Sequence, residues 1–233
     1  MQTLQIMKKE LKDFFVSPIA YIVISVFLLT TGFFFFSNFF TVGQATLRGF
    51  FSLLPVVFSL IIPAITMRLF SEEFASGSFE VVMTLPVSPT EIVVGKFLSA
   101  LVFVSAMLIP TLSYAITASY LGDLDWGPVV GGYAGAILLG GAFSAIGLFA
   151  SSLTRNQIIA FIVGALFCLT LTLIDQVLFF FPPSVLGFFS QIGAGFHFRN
   201  IARGIIDTRD ILYFGSMIFL FLYASFLSVT SKE

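Results

Sequence analysis

Apolar runs long enough to cross a bilayer recur along the whole chain, separated by short polar segments. A helix needs about 20 mainly apolar residues to span the hydrocarbon core, and six runs approach or exceed that length. They cover residues 19–40, 50–67, 97–121, 129–153, 158–181 and 211–229. The runs show no strand-like alternation, and an isolated span must satisfy its own backbone hydrogen bonds. We therefore predict an all-α integral membrane protein with six transmembrane helices.

Two further segments are neither spans nor simple loops. In residues 1–17, one face of the predicted helix is apolar and the other carries lysines, which is typical of a helix lying in the membrane interface. The apolar face comprises Leu4, Met7, Leu11, Phe14 and Phe15. Residues 182–208 mix apolar and polar side chains too evenly for a span, yet are too apolar for a free loop. We expect short re-entrant or interfacial helices there, with breaks at glycines.

A charged stretch punctuated by glycine and proline joins the second and third spans, and we name it the polar segment (residues 68–96). Its charged residues are Arg68, Glu72, Glu73, Glu80, Glu91 and Lys96. A charge at the centre of the hydrocarbon costs about 2.5 to 3.5 kcal/mol even on the milder insertion scales. The polar segment is therefore expected to lie in water.

The polar segment is predicted to contain an amphipathic helix. Its apolar face comprises Phe70, Phe74, Val81 and Leu85, at steps of 4, 7 and 4 residues. Gly77 and Ser78 interrupt or kink this helix, and two later prolines end it. Thr90 is the predicted cap of the next helix, and Lys96 marks where that helix enters the membrane. The helix is either a solvated connector or a docking element that inserts aromatic anchors into a partner's cleft.

The composition of the chain excludes several classes of function. The chain of 233 residues is 58% hydrophobic and 10% charged, with a net charge of -1, so it has no basic footprint for a nucleic-acid partner. Its one cysteine excludes an intrachain disulfide, and its one histidine argues against a metal centre. The sequence contains no G-x-x-x-x-G-K-[ST] phosphate loop. We therefore expect no ATPase activity in this chain.

Lysines and arginines in the short loops predict the orientation. With both termini in the cytoplasm, the inner side holds Lys8, Lys9, Lys12, Arg68, Lys96, Arg155 and Lys232. The outer side then holds Arg48, Arg199, Arg203 and Arg209. This bias places the polar segment in the cytoplasm.

Small residues recur every fourth position of the fourth span, where they permit close approach of another helix. They are Gly132, Ala136, Gly140 and Ser144. The stripe fits packing within the chain or an interface between subunits.

In the second span, Pro55 and Pro63 each remove a helix hydrogen bond, and they form either fixed bends or a moving hinge. Asp175 lies in the fifth span, where an acid is a candidate for the transport pathway or a solvated group near the interface.

A cluster of charged residues precedes the sixth span, on the predicted outer side. It comprises His197, Arg199, Arg203, Asp207, Arg209 and Asp210. Mutual pairing that fixes an outer gate is the favoured interpretation, and direct contact with an anionic substrate is the alternative.

Four motifs resemble one family. The run RLFSEEFASGSFEVVMTLPVSPTEIVVGK resembles the signature of ABC-2-type permeases. Supporting likenesses are KKELKDFFVSPIAYI, SSLTRNQIIA and HFRNIARGIIDTRDILYF, which occur in the expected order over most of the chain. Within the superfamily the chain most resembles the small permease subunit of the gliding-motility type, with copper-site maturation permeases as neighbours.

The resemblance implies a permease that pairs with a second, identical or related permease and binds two copies of a cytoplasmic ATPase, which would hold ATP and Mg. The permease would contact the ATPase through a coupling helix within residues 68–90, between spans two and three. The residues matched to that role are Arg68, Phe70, Glu72, Glu73, Phe74, Gly77, Phe79 and Glu80. The resemblance also allows an extracytoplasmic auxiliary subunit and implies the plasma (bacterial inner) membrane. Two other functions stay open, a membrane anchor without cargo and an ion-coupled secondary transporter.

Overall fold

The computed structural model describes residues 2–84, 86–178, 192–205 and 207–232, without the side chains of residues 38, 42, 82, 83 and 175–178. Its helices are α1 (Gln2–Val16), α2 (Pro18–Val42), α3 (Arg48–Thr66), α4 (Arg68–Ser76), α5 (Ser78–Met83), α6 (Pro89–Leu108), α7 (Leu112–Leu121), α8 (Trp126–Leu153), α9 (Gln157–Leu178), α10 (Ala194–Ala202) and α11 (Thr208–Thr230). A 3-10 turn, Ile109–Thr111, joins α6 to α7.

Six helical stretches in the described residues are long and apolar enough to cross a membrane, which confirms the predicted all-α membrane architecture. Two of them extend into the polar segment: the second runs over Arg48–Ser76 and the third over Pro89–Leu121. We call the end of the bundle that carries α1 and the polar segment the α1 face. The opposite end, which carries α10, is the α10 face.

Helix α6, whose first turns belong to the polar segment, begins earlier than the sequence predicted. Its N-cap is Ser88, not Thr90. The Ser88 hydroxyl accepts a hydrogen bond from the Glu91 backbone N–H at 3.3 Å, and the Glu91 carboxylate accepts one from the Ser88 N–H at 3.1 Å. This reciprocal capping box satisfies two N–H groups that the first turn leaves unpaired.

Helix α8 lies at the centre of the bundle, and its small residues pack against other helices of the same chain. A methyl group added at Gly132 would overlap the Phe51 ring of α3, and one at Gly140 would lie 2.7 Å from a Val104 methyl group of α6. Ala136 and Ser144 are fully buried beside them. The stripe is therefore part of the core of this chain.

Helix α3 stays continuous through both of its prolines. Pro55 and Pro63 are buried. A methyl group added at Gly164 of α9 would lie 3.3 Å from the Pro63 Cβ, and one at Gly147 of α8 would lie 3.6 Å from its Cα. Pro63 is thus packed between α8 and α9, which favours a fixed shape for α3.

Helix α1 packs on the first turns of α6 through a face that includes charge. Glu10 and Phe14 are buried, and a methyl group added at Gly95 would lie 2.9 Å from Ile6. The predicted apolar face is divided, because Phe14 is buried whereas Leu4 is 51% exposed and Phe15 is 37% exposed. The exposed part of that face is available to lipid.

The predicted interfacial segment 182–208 is described in part. Its helix is α10 (Ala194–Ala202), whose inner side is buried. Residues 182–191 and the side chain of Asp175 lie outside the described residues.

Candidate functional site

The polar segment starts where α3 passes into α4 at Met67, whose backbone stays in the right-handed helical region. One hydroxyl, Ser151 Oγ of α8, satisfies three backbone groups there. It accepts hydrogen bonds from the N–H groups of Phe70 at 2.9 Å and Ser71 at 3.0 Å, and it donates to the Met67 carbonyl at 2.7 Å. A hydroxyl has one proton and two lone pairs, so its bonding capacity is fully used. Ser151 therefore fixes the start of α4 to the central helix.

Gly77 ends α4 in the left-handed conformation, with a φ of 71°, and α5 then starts at Ser78. A residue with a side chain adopts this conformation only at a cost, so glycine is favoured here. We call the two helices and their turn the α4–α5 hairpin (residues 68–83). The prediction that Val81 shares one face with Phe70 and Phe74 is wrong, because the turn places Val81 on α5, where it is 66% exposed. Leu85 lies outside the described residues.

Three phenylalanines form the interior of the hairpin. The rings of Phe70 and Phe74 stack with centroids 5.8 Å apart, and Phe79 meets Phe74 edge-on at 4.8 Å. Phe70 is fully buried, and Phe74 and Phe79 are 9% and 5% exposed. The sequence interpretation of Phe70 and Phe74 as anchors in a partner's cleft does not fit this geometry. The rings pack α5 against α4 and leave no exposed aromatic anchor among these three.

A buried lysine joins the hairpin to two other helices. Lys96 of α6 has a side chain only 2% exposed, and its Nζ donates to Glu10 of α1 at 2.9 Å and to Glu73 of α4 at 2.8 Å. A third hydrogen bond goes to the Leu69 carbonyl at 2.7 Å. Lys9, which is mostly exposed, lies 3.7 Å from both carboxylates. Lys96 therefore holds α1, α4 and α6 together, and its place at the membrane boundary stays a prediction.

A second cation approaches the hairpin from the other side. Lys232 Nζ lies 4.0 Å from the centroid of the Phe74 ring and donates to the Ser152 carbonyl at 2.6 Å. Burial lowers the pKa of Lys232, and the positive charge of Arg155 lowers it further. Lys232, Arg155 and Phe74 line a cleft of about 290 Å³ together with Glu80.

The outer surface of the hairpin is exposed around its turn, and we call it the hairpin tip. It comprises Glu72, Ala75, Ser76, Gly77, Ser78, Glu80 and Val81. Arg68 lies at its base, half-buried, with its guanidinium carbon 5.5 Å from the centroid of the Phe14 ring. The tip thus combines two carboxylates with one exposed valine, while Glu73 points inward to Lys96.

The charged cluster at the α10 face divides into a buried pair and a basic surface. His197 Nδ1 lies 2.5 Å from Asp210 Oδ1, and the His197 ring stacks on Tyr213 at 4.0 Å. Asp207 caps α11 by accepting a hydrogen bond from the Arg209 N–H at 2.9 Å. Arg199 and Arg203 line a cavity together. Pairing of one histidine with one acid therefore accounts for part of the cluster.

Sequence reasoning missed the residues that hold the hairpin in place, namely Glu10, Ser151 and Lys232. Nothing in the local sequence assigns Ser151 to the hairpin, since a serine in an apolar helix commonly bonds its own backbone. Glu10 does carry a local signal. It lies four residues after Ile6 and four before Phe14, and so on the same face of α1 as these two apolar residues.

Residues 4–231 match the family model described as ABC-2 family transporter protein. No curated protein matches the chain significantly. The family match covers nearly the whole chain, including all six candidate spans and the hairpin.

Proposed function

Because this chain belongs to the ABC-2 family of transporter proteins, it is the membrane-spanning permease subunit of an ABC transporter, and we propose that its α4–α5 hairpin receives the motion of the ATPase. Association with an ABC ATPase and with the lipid bilayer follows from the family. In the proposal, the hairpin tip is the contact surface and the α1 face is cytoplasmic. ATP and Mg are held by the partner.

The observation that carries the proposal is the way in which the hairpin is fixed to the spans. Ser151 ties the start of α4 to α8, and Lys96 ties the middle of α4 to α1 and α6. A hairpin fixed at these points cannot move alone, because displacing it would separate buried charges from their partners. A push on the tip is therefore transmitted to the helices as a rigid-body displacement.

Helix α3 offers the most direct path into the membrane. It joins α4 at Met67, and Pro63 lies one turn earlier between α8 and α9. We propose that tilting of α3 with α9 opens and closes a central path, to export a substrate or to perform conformational work. A dimer of permeases with two ATPase subunits completes the proposed machine, and the gliding-motility type is the proposed subfamily.

The test is co-purification of the cognate ATPase with the full chain in detergent. Glu80→Arg and Val81→Asp change exposed side chains of the hairpin tip, so they should release the ATPase while the permease still elutes as a folded protein. The matched control is Asp123→Arg, a charge reversal at an exposed residue outside the hairpin. It should retain the ATPase.

Changes at Glu73 or Phe74 are unsuitable for this test. Glu73→Arg would oppose the buried Lys96, and Phe74→Asp would disrupt the interior of the hairpin. Retention of the ATPase by both tip variants would refute the proposed contact surface.

A further inference from the structure

Helix α1 has three sides with different surroundings. On the first side, Glu10 and Phe14 are buried against α6. On the second side, Asp13 lines a cleft of about 310 Å³ beside the α4–α5 hairpin. The third side is largely exposed. We call this third side the lysine flank, and it comprises Leu4, Lys8, Leu11, Lys12 and Phe15.

The exposed side of α1 runs on into the surface of the first span. A single residue, Ser17, separates the end of α1 from the start of α2. The apolar side chains of Val16, Ile19 and Ile22 at this junction are exposed. Helix α2 is long and apolar enough to cross a membrane, so its uncovered apolar side chains lie in lipid. Helix α1 therefore lies at the border of the hydrocarbon, where the apolar residues of the lysine flank can enter the lipid.

The positive charge of the lysine flank is not balanced within α1. Lys8 and Lys12 are one helical turn apart, and no residue three or four positions from either of them along the helix is acidic. Both side chains are exposed, and neither forms an ion pair with the described part of the chain. Two lysines at this spacing repel each other, so a negative group near both is favoured.

Helix α1 is held in a fixed position under these lysines. Glu10 accepts a hydrogen bond from the buried Lys96 at 2.9 Å, and the Phe14 ring lies 5.2 Å from the ring of Phe103. A methyl group added at Gly95 of α6 would lie only 2.9 Å from α1. The lysine flank is thus carried by a rigid support, which lowers the entropic cost of binding a ligand.

We propose that the lysine flank binds the headgroups of anionic phospholipids. Its leucines and phenylalanine lie at the boundary of the acyl chains, while the long lysine side chains extend to the level of the phosphates. A zwitterionic headgroup carries its own positive charge, so the two lysines favour a lipid with a net negative charge. The inference does not depend on docking of the ATPase.

The test uses the full chain in nanodiscs with a fluorescent reporter on the lysine flank. Trp126→Phe removes the only tryptophan of the chain, and Leu4→Trp places a new one four residues before Lys8. Two lipid mixtures contain equal amounts of phosphatidylglycerol and phosphatidylcholine. Bromine, which quenches tryptophan on contact, is carried near the headgroup end of the acyl chains, by phosphatidylglycerol in the first mixture and by phosphatidylcholine in the second.

The first mixture should quench the reporter more strongly than the second. Phosphatidylglycerol should be enriched at the reporter about fivefold, the factor that one lysine near an anionic membrane surface contributes. Lys8→Gln with Lys12→Gln should remove the difference between the mixtures, and Lys8→Arg with Lys12→Arg should keep it. The matched control is Arg203→Gln with Arg209→Gln, which removes two exposed cations at the α10 face and should leave the difference unchanged.

Three results would overturn the proposal. The first is equal quenching by the two mixtures when both lysines are present, and the second is a difference that survives in the glutamine variant. The third is the absence of quenching in both mixtures, which is expected if the lysine flank faces water and awaits a protein partner. If Leu4→Trp does not fold, Phe15→Trp places the reporter at the other end of the lysine flank, and the same comparisons apply.

Discussion

Replacing Lys96 by methionine should destabilise the protein far more than neutralising its neighbour Lys9. Lys96→Met keeps an unbranched side chain, one heavy atom shorter, but leaves Glu10 and Glu73 without the ammonium that lies 2.9 and 2.8 Å from them. Removing one partner of a buried ion pair costs about 3 to 5 kcal/mol. Lys9 stays 3.7 Å from both carboxylates, so we expect the lower end of that range, about 3 kcal/mol.

The assay is thermal unfolding of the purified chain in detergent, followed by fluorescence and by the loss of the monodisperse elution peak. For a chain of this size, 3 kcal/mol corresponds to a fall in Tm of about 6 to 12 °C. Lys9→Gln is the control, because the Lys9 side chain is 59% exposed and an exposed ion pair contributes about 0 to 1 kcal/mol. Its Tm should fall by less than about 4 °C.

A neutral variant tests whether the loss arises from unpaired charge. Glu10→Gln and Glu73→Gln, combined with Lys96→Met, remove all three buried charges and should restore most of the lost stability. The reasoning is refuted if Lys96→Met unfolds at the same temperature as Lys9→Gln. It is refuted equally if the neutral variant unfolds no later than Lys96→Met alone.

Two glycine substitutions give further predictions. Gly77→Ala should lower the free energy of unfolding by about 1 to 2 kcal/mol in a melting experiment, because only the left-handed backbone opposes the added methyl group, which meets open space. Gly215→Ala is the control. Its methyl group also meets open space, but its φ is not positive, so it should cause no loss of stability. Gly147→Ala should cost about 1 to 3 kcal/mol by overlap with the Thr66 side chain. Thr66→Ala should rescue part of that loss in a double-mutant cycle, and equal melting of the single and double variants would contradict the assigned clash.

Local sequence predicts the spans well because hydrophobicity over 20 residues is a local property. The break at Gly77 is predictable for the same reason, since glycine disfavours a continuous helix by itself. The resemblance of the polar segment to ABC-2 permeases is confirmed at the level of the family. The assignment to the gliding-motility type stays a prediction.

Contacts between residues that are distant in the sequence cannot be predicted from local sequence patterns. Glu10 and Lys96 are 86 residues apart, and nothing in either local sequence indicates the other. The burial of Phe70 and Phe74 was missed for a related reason. An amphipathic helix has the same pattern whether its apolar face binds a partner or a neighbouring helix of its own chain. Only the fold of α5 back over α4 distinguishes the two.

The contacts of Lys232 have a consequence for biogenesis. Chains emerge from the ribosome in order, so Phe74 and Ser152 are synthesised well before the lysine that contacts them both. Until residue 232 has been made, the side of the hairpin next to Phe74 lacks its covering cation. A partner that recognises the packed form would therefore discriminate against shorter nascent chains.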